Sequence, residues 1–227
     1  FSFSYGKGIS TGEGGMMLTD SEELRNRILS VGHPLYRRES ASVYDVFGDT
    51  ALGANNLMHP LSIVMANVGF DSIDQRRDRS NENWEEFVKM LKNFDFIEPL
   101  IISPGKIRGA WSGIAFFYKG EELGLSADSF VKALKLEGAK IAREYDSNIL
   151  YNGDAISNIG LMMGGKSDLE TTQDKSEFPV TERIRRDLLI CENVCSYVED
   201  ISLFIEEYKQ SIMKIADNVS WLRRELE

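Results

Sequence analysis

Apolar and polar positions alternate with a period of two along Phe1-Ser2-Phe3-Ser4-Tyr5, a pattern that predicts a strand. Met16, Met17 and Leu18 predict a second short strand beyond a turn-rich stretch holding Gly6, Gly8, Gly12, Gly14 and Gly15. The period then becomes helical. Thr19-Asp20-Ser21-Glu22-Glu23 offers a capping box in either of two registers, and Leu24, Ile28 and Val31 follow at helical spacing. Residues 32–57 are irregular, with Arg37, Arg38, Gly48 and Gly53 among them, and read as a long functional loop. Pro60 sits where a first-turn proline belongs, and Leu61, Val64, Met65 and Val68 make an apolar face. The pattern runs on through the charged Asp74 to Arg79 into Trp84, Phe87, Val88 and Leu91. It predicts one long helix, kinked near Gly69, joining two lobes.

After Pro99 strands and helices alternate. Strands are expected near Leu100 to Ser103, Trp111 to Tyr118, Lys140 to Ala142 and Asp187 to Cys191. A helix is expected from Ala127 to Glu137, capped by Ser126 and stopped by Gly138. The polar stretch Asn152 to Phe178 reads as a mobile or partner-covered loop. A closing helix begins with a capping box of Ser196 and Glu199. Ile201, Phe204, Ile205, Tyr208, Ile212, Ile215, Val219 and Leu222 form its buried stripe. These shifts divide the chain at 1–75 and 76–227, the second part being a small α+β domain.

Composition narrows the function classes. The chain has 227 residues, 42% of them apolar, enough to build a core. Its formal charge of −10 is spread along the length, which argues against a nucleic-acid binder held by phosphate contacts. Two cysteines and two histidines exclude a disulfide scaffold and disfavour a structural zinc site, so no metal is expected and the compartment reads as cytoplasmic. Cys191 and Cys195 read as buried, inert thiols, and His33 and His59 as turn or cap residues. No apolar stretch approaches the roughly 20 residues of a membrane helix.

The candidate chemistry lies at Lys7, on a glycine-rich turn between the first two predicted strands. A lysine held by backbone on both sides presents its amine with little orientational freedom. If desolvated in a cleft, that amine can attack a carbonyl to form a Schiff base. Nearby hydroxyls and backbone N–H groups suit a phosphate. The other reading of the same residues is a surface hairpin with a solvated lysine. A nucleotide P-loop fits poorly, because Lys7 precedes the main glycine cluster and no Gly-Lys-Ser/Thr closes it.

The stretch from Phe1 to Asp20 resembles the cofactor-lysine segment of the DegT/StrS-type sugar aminotransferases. It has Ser-Phe, a lysine, a short spacer, Gly12-Glu13-Gly14-Gly15, then an apolar run ending in Thr19-Asp20. Gly53-Ala54-Asn55 followed by Met58-His59-Pro60-Leu61 is similar to the family's Gly-x-Asn segment leading into the helix between domains. The resemblance implies an α/β chain of fold type I, aspartate aminotransferase-like, here the C-terminal part of the large domain plus the small domain. It implies pyridoxal phosphate as cofactor, with Lys7 bound to it covalently and later moving protons. Ser2 is implied as the phosphate-binding serine, with Ser4 its competitor. Asn55, with Asn56 as fallback, is the asparagine that reaches the phosphate of the neighbouring subunit, so a homodimer is implied.

The implied substrates are a keto sugar, nucleotide-linked, or a keto-cyclitol, together with an amino-acid donor. Some relatives that act as sugar dehydratases carry histidine in place of the lysine, and Lys7 speaks against that branch. Arg37 and Arg38 either reach a nucleotide diphosphate or solvate a loop. Asn56 and Leu57 depart from the aromatic and arginine that many relatives carry after the asparagine. The chain opens on Phe1 with no Met and no leader pattern. The resemblance therefore implies that the ring-stacking aromatic, the aspartate facing the pyridine nitrogen and the rest of the phosphate cup precede Phe1. The competing reading is a non-catalytic half that binds a phosphate or a partner.

Overall fold

A computed structural model of the chain describes residues 1–32, 56–109, 113–143, 175–192 and 198–227. It separates into two compact units, Phe1–Gln75 and Arg76–Glu227.

In the first unit, the Phe1–Gly15 segment folds back on itself. A single antiparallel bridge joins Ser2 to Gly15. The second expected strand is cut short: pairing reaches only Met16, whose N–H donates to the Phe1 carbonyl at 2.9 Å, and Met17 and Leu18 are exposed and carry no ladder.

Helix α1 spans Glu22–Gly32. Of the two cap registers, Ser21 is the one used, its Oγ accepting from the Leu24 N–H at 3.3 Å. Helix α2 spans Pro60–Asp71, with Pro60 in its first turn and His59 as N-cap; the His59 Nδ1 accepts from the Leu61 N–H at 3.2 Å.

The expected long helix is two helices. Helix α3 spans Ile73–Leu91, and the break falls at Ser72 rather than at Gly69. There the Ser72 N–H turns back to the Phe70 carbonyl, and its hydroxyl donates to the Gly69 carbonyl at 3.4 Å. Both bonds close α2 in place of the helical ladder. The unit boundary lies within the first turn of α3.

The second unit contains a four-stranded antiparallel sheet in the order β1-β2-β4-β3. The strands are β1 (Ile97–Pro99), β2 (Gly113–Tyr118), β3 (Ile141–Ala142) and β4 (Leu188–Glu192). Strand β1 lies three residues earlier than the apolar run Leu100–Ser103 predicted. It is an edge strand, where Pro99 is tolerated opposite Phe116.

Alternation along β2 buries Ile114, Phe116 and Tyr118 on one face. Phe117 lies on the other face, beneath the Arg183 guanidinium at 5.1 Å. The short helix α4 (Gly120–Leu123) precedes α5 (Ala127–Leu136), whose cap is the predicted one: Ser126 Oγ accepts from the Ser129 N–H at 3.2 Å. The predicted stop at Gly138 is a Schellman turn. Gly138 takes φ +94°, its N–H reaches the Lys135 carbonyl and the Ala139 N–H reaches that of Leu134.

After a 3-10 turn at Lys175–Glu177 come α6 (Pro179–Asp187), β4, α7 (Ser202–Asp217) and α8 (Val219–Leu226). The closing helix thus starts later than a Ser196 cap implies, and Ser196 itself is outside the described residues. Asp200 does the capping, accepting from the Ser202 N–H at 2.8 Å. The expected stripe is buried at Ile201, Tyr208, Ile212, Ile215 and Leu222.

The core of this unit joins Phe87, Leu91, Ile114, Phe116, Phe130, Leu134, Leu189 and Ile212, with Tyr118 stacked on Phe130 at 4.3 Å between centroids. Cys191 is a buried thiol in β4; Cys195 is outside the described residues.

Candidate functional site

The turn bearing Lys7 is closed by its own backbone. The Phe3 N–H donates to the Gly14 carbonyl at 2.9 Å, the Tyr5 N–H to the Gly12 carbonyl at 3.0 Å, and the Lys7 N–H to the Ser4 carbonyl at 3.2 Å. The Thr11 N–H crosses the loop to the Phe3 carbonyl at 2.9 Å, so residues 4–10 form a small closed loop with Lys7 near its tip.

Two glycines of the Gly12-Glu13-Gly14-Gly15 run have separate physical reasons. Gly12 takes φ +85°, which a side chain would strain. A Cβ on Gly15 would lie 2.9 Å from the Phe1 carbonyl oxygen, so the bridge to Ser2 requires a bare backbone there.

The Lys7 side chain is exposed, and among the described residues no carboxylate pairs with it. In this chain the amine stands on a fixed turn facing solvent rather than in a desolvating cleft. The Ser2 and Ser4 hydroxyls, the two competing phosphate ligands, are brought together at 2.9 Å, and the Ser4 N–H also donates to Ser2 Oγ at 3.3 Å. Asn55 lies outside the described residues, as do His33, Arg37 and Arg38. Asn56 is exposed, its N–H donating to the Gly32 carbonyl at 2.7 Å. Most of the Asn152–Phe178 stretch is likewise outside the described residues.

Beneath the turn lies α2, and the face it presents is not the one its hydrophobic period suggested. Leu61, Val64, Met65 and Val68 are exposed. Ser62, Ala66, Gly69 and Phe70, spaced i, i+4, i+7 and i+8, instead form the stripe nearest the loop. Ser62 Oγ donates to the Thr11 carbonyl at 3.2 Å, and Phe70 meets Phe3 edge to face at 6.3 Å.

Thr11 is 5% exposed, its hydroxyl 3.2 Å from the Glu13 carbonyl. Sequence reading missed Thr11 and Ser62. The available signals were a threonine abutting the glycine run and a serine inside an otherwise apolar helical segment.

The second unit has a cleft of about 820 Å³ lined by Lys119, Arg143, Arg183, Arg186 and Arg223 along with six carboxylates, Glu98, Glu121, Glu122, Asp128, Asp187 and Glu227. Its cations are already engaged. Lys119 pairs with Glu98 and Glu122, Arg143 with Asp128 and Arg186 with Asp187, while Arg223 donates to the Gly124 carbonyl. The carboxylates neutralise the basic lining, so the cleft carries no excess positive charge to hold an anion. Among the described residues no helix is long and apolar enough to cross a membrane, and no group of three or more His, Cys, Asp or Glu side chains is placed to hold a metal.

Residues 1–156 match the family model described as the DegT/DnrJ/EryC1/StrS aminotransferase family. No curated protein matches the chain at a significant level. Solved structures similar to it include the E coli GDP-4-keto-6-deoxy-D-mannose-3-dehydratase with bound hydrated PLP, at 16% identity and TM-score 0.66, over 93% of this chain and 53% of that one. The 3-amino-5-hydroxybenzoic acid synthase is similar at 19% identity and TM-score 0.66, over 96% and 53%. A DegT DnrJ EryC1 StrS aminotransferase from Brucella abortus is similar at 16% identity and TM-score 0.69, over 95% and 50%. The fold is that of the type I transferases, and the chain spans about half the length of the solved structures it matches.

Proposed function

Since the chain belongs to the DegT/DnrJ/EryC1/StrS aminotransferase family, we propose that it is the lysine-bearing part of a pyridoxal-phosphate-dependent sugar aminotransferase. The substrate class is a keto sugar, nucleotide-linked, or a keto-cyclitol, with an amino acid as donor. The enzyme works in the cytoplasm as a homodimer in which Asn55 of one protomer reaches the cofactor phosphate of the other. The observation that carries this reading is the Lys7 turn: a primary amine on a backbone-closed loop, with two hydroxyls 2.9 Å apart on the same segment.

That donor set fits the cofactor. Lys7 Nζ is a nucleophile for its aldehyde, and Ser2 with Ser4 supplies hydroxyl donors for its phosphate. When bound, pyridoxal phosphate supplies an electron sink for carbanion chemistry. Lys7 would hold the cofactor through Nζ, and the same amine, when free, would be the group placed to move a proton. Glycine at positions 12 and 15 fixes the turn from which that amine projects. A lysine here rather than a histidine supports transamination over dehydration.

The chain's half-length match favours one further reading, a part that cannot turn over substrate by itself. Incubation with pyridoxal phosphate, borohydride reduction and peptide mapping separates the two. The proposed function expects the label on Lys7, either in the chain alone or only once the complementary half of the fold is supplied. Label appearing only in the second case marks the chain as a catalytic part that is inactive alone. Lys7→Ala should abolish both label and turnover. No label on Lys7 under either condition refutes the aminotransferase reading.

A further inference from the structure

We propose that α2 is the platform that positions Lys7 and that Gly69 is its positioning residue, an inference that rests on the catalytic reading of Lys7. Ile9, two residues beyond the lysine, lies directly on Gly69. A Cβ added there would stand 3.0 Å from Ile9 Cγ2 and 3.6 Å from Cγ1. That is closer than a methyl group packs, so the Ile9 side chain must give by a few tenths of an ångström, a displacement applied two residues from Lys7.

Gly69 is inside a helix, where alanine is ordinarily the more stable residue. Helical propensity therefore gives no reason for glycine at this position, whereas the approach of the Lys7 loop does. Two other contacts fix the same register: Ser62 Oγ holds the Thr11 carbonyl at 3.2 Å, and Phe70 packs edge to face on Phe3. The loop is thus held at Phe3, Ile9 and Thr11, on both sides of Lys7. An amine that must meet one carbon atom requires its backbone to be fixed in this way.

Gly69→Ala separates positioning from folding, because the two predict opposite signs. In this variant the amides within α2 should exchange with solvent no faster than in the parent. The Tyr5 and Thr11 amides, whose bonds close the loop, should exchange roughly tenfold faster, and reductive labelling of Lys7 by pyridoxal phosphate with the complementary half of the fold supplied should fall by a similar factor. Ile9→Ala in the Gly69→Ala background removes the overlapping methyl groups and should restore both. Ser62→Ala, which leaves Gly69 and Ile9 in contact, should loosen the Thr11 amide without that rescue.

Unchanged loop exchange in Gly69→Ala, a loss that Ile9→Ala does not reverse, or accelerated exchange throughout α2 would each overturn the assignment. If Lys7 of the parent chain takes no label either alone or with the complementary half of the fold supplied, while the loop amides respond as stated, the platform stands and the catalytic reading falls.

Discussion

The Ser62 hydroxyl donates to the Thr11 carbonyl across 51 residues of sequence, at 3.2 Å. It is a hydrogen bond between the lysine loop and the helix below it, and it is partly shielded from water. Ser62→Ala should cost about 1 kcal/mol and leave α2 helical. Tryptic cleavage after Lys7, followed against time, is expected to quicken, because a loosened loop enters a protease more readily.

Tyr118 provides a test in the second unit. Its hydroxyl donates to the Leu125 carbonyl at 2.8 Å in a buried setting. Tyr118→Phe leaves that carbonyl unsatisfied and should lower stability by about 2 kcal/mol, read from urea denaturation.

The same phenol gives a pH dependence. Burial, and then the Glu227 charge, push its pKa far above the ordinary value of 10.0. The folded state therefore holds this proton more tightly than the unfolded chain does. The associated stability is complete below about pH 10 and declines as pH rises beyond it. Tyr118→Phe should flatten that alkaline decline in denaturation curves taken from pH 9 to 11, the range bracketing an unfolded tyrosine.

Gly138→Ala replaces the residue that turns the end of α5 at φ +94°. A side chain in that region costs about 1 kcal/mol, and a drop in melting temperature of the second unit, with the fold retained by circular dichroism, is the expected result.

The outer face of α2 bears Leu61, Val64, Met65 and Val68, each more than half exposed. A contiguous apolar surface of this kind should bind anilinonaphthalene sulfonate and make the chain associate as its concentration rises. The paired substitution Leu61→Lys and Val64→Lys should suppress both effects in dye titration and sedimentation. Undiminished association in that variant would place the adhesive surface elsewhere.

How far the fold could be read in advance depended on whether its determinants are local. Ser126 and Gly138 bracket α5 as predicted, because caps act within one turn, and the alternation that buries Ile114, Phe116 and Tyr118 is a property of one strand. Strand β1 was displaced in the reading because Pro99 looked like a start, whereas an edge strand can end on proline.

The site divides in the same way. Lys7, Ser2 and Ser4 sit in one short motif and were legible. The Thr11–Ser62 bond and the Ile9–Gly69 approach join distant segments that no periodicity marks. Hydrophobic period picked the face of α2 that most wants burial, but the loop rests on the face that carries Ser62, Ala66 and Gly69, with Phe70 at its end.

Buried residues are divided unequally between the two units. Among the described residues, the first buries Phe3 and Ala66 as its apolar core with Thr11 and Asn26 beside them, while a single large cluster fills the second. One melting temperature therefore cannot describe the chain. Calorimetry should resolve a weak early transition from a later cooperative one, and the calorimetric and van't Hoff enthalpies of the whole should disagree. The lysine loop belongs to the early transition, so warming that removes only the α1 and α2 share of the circular dichroism signal should already release it.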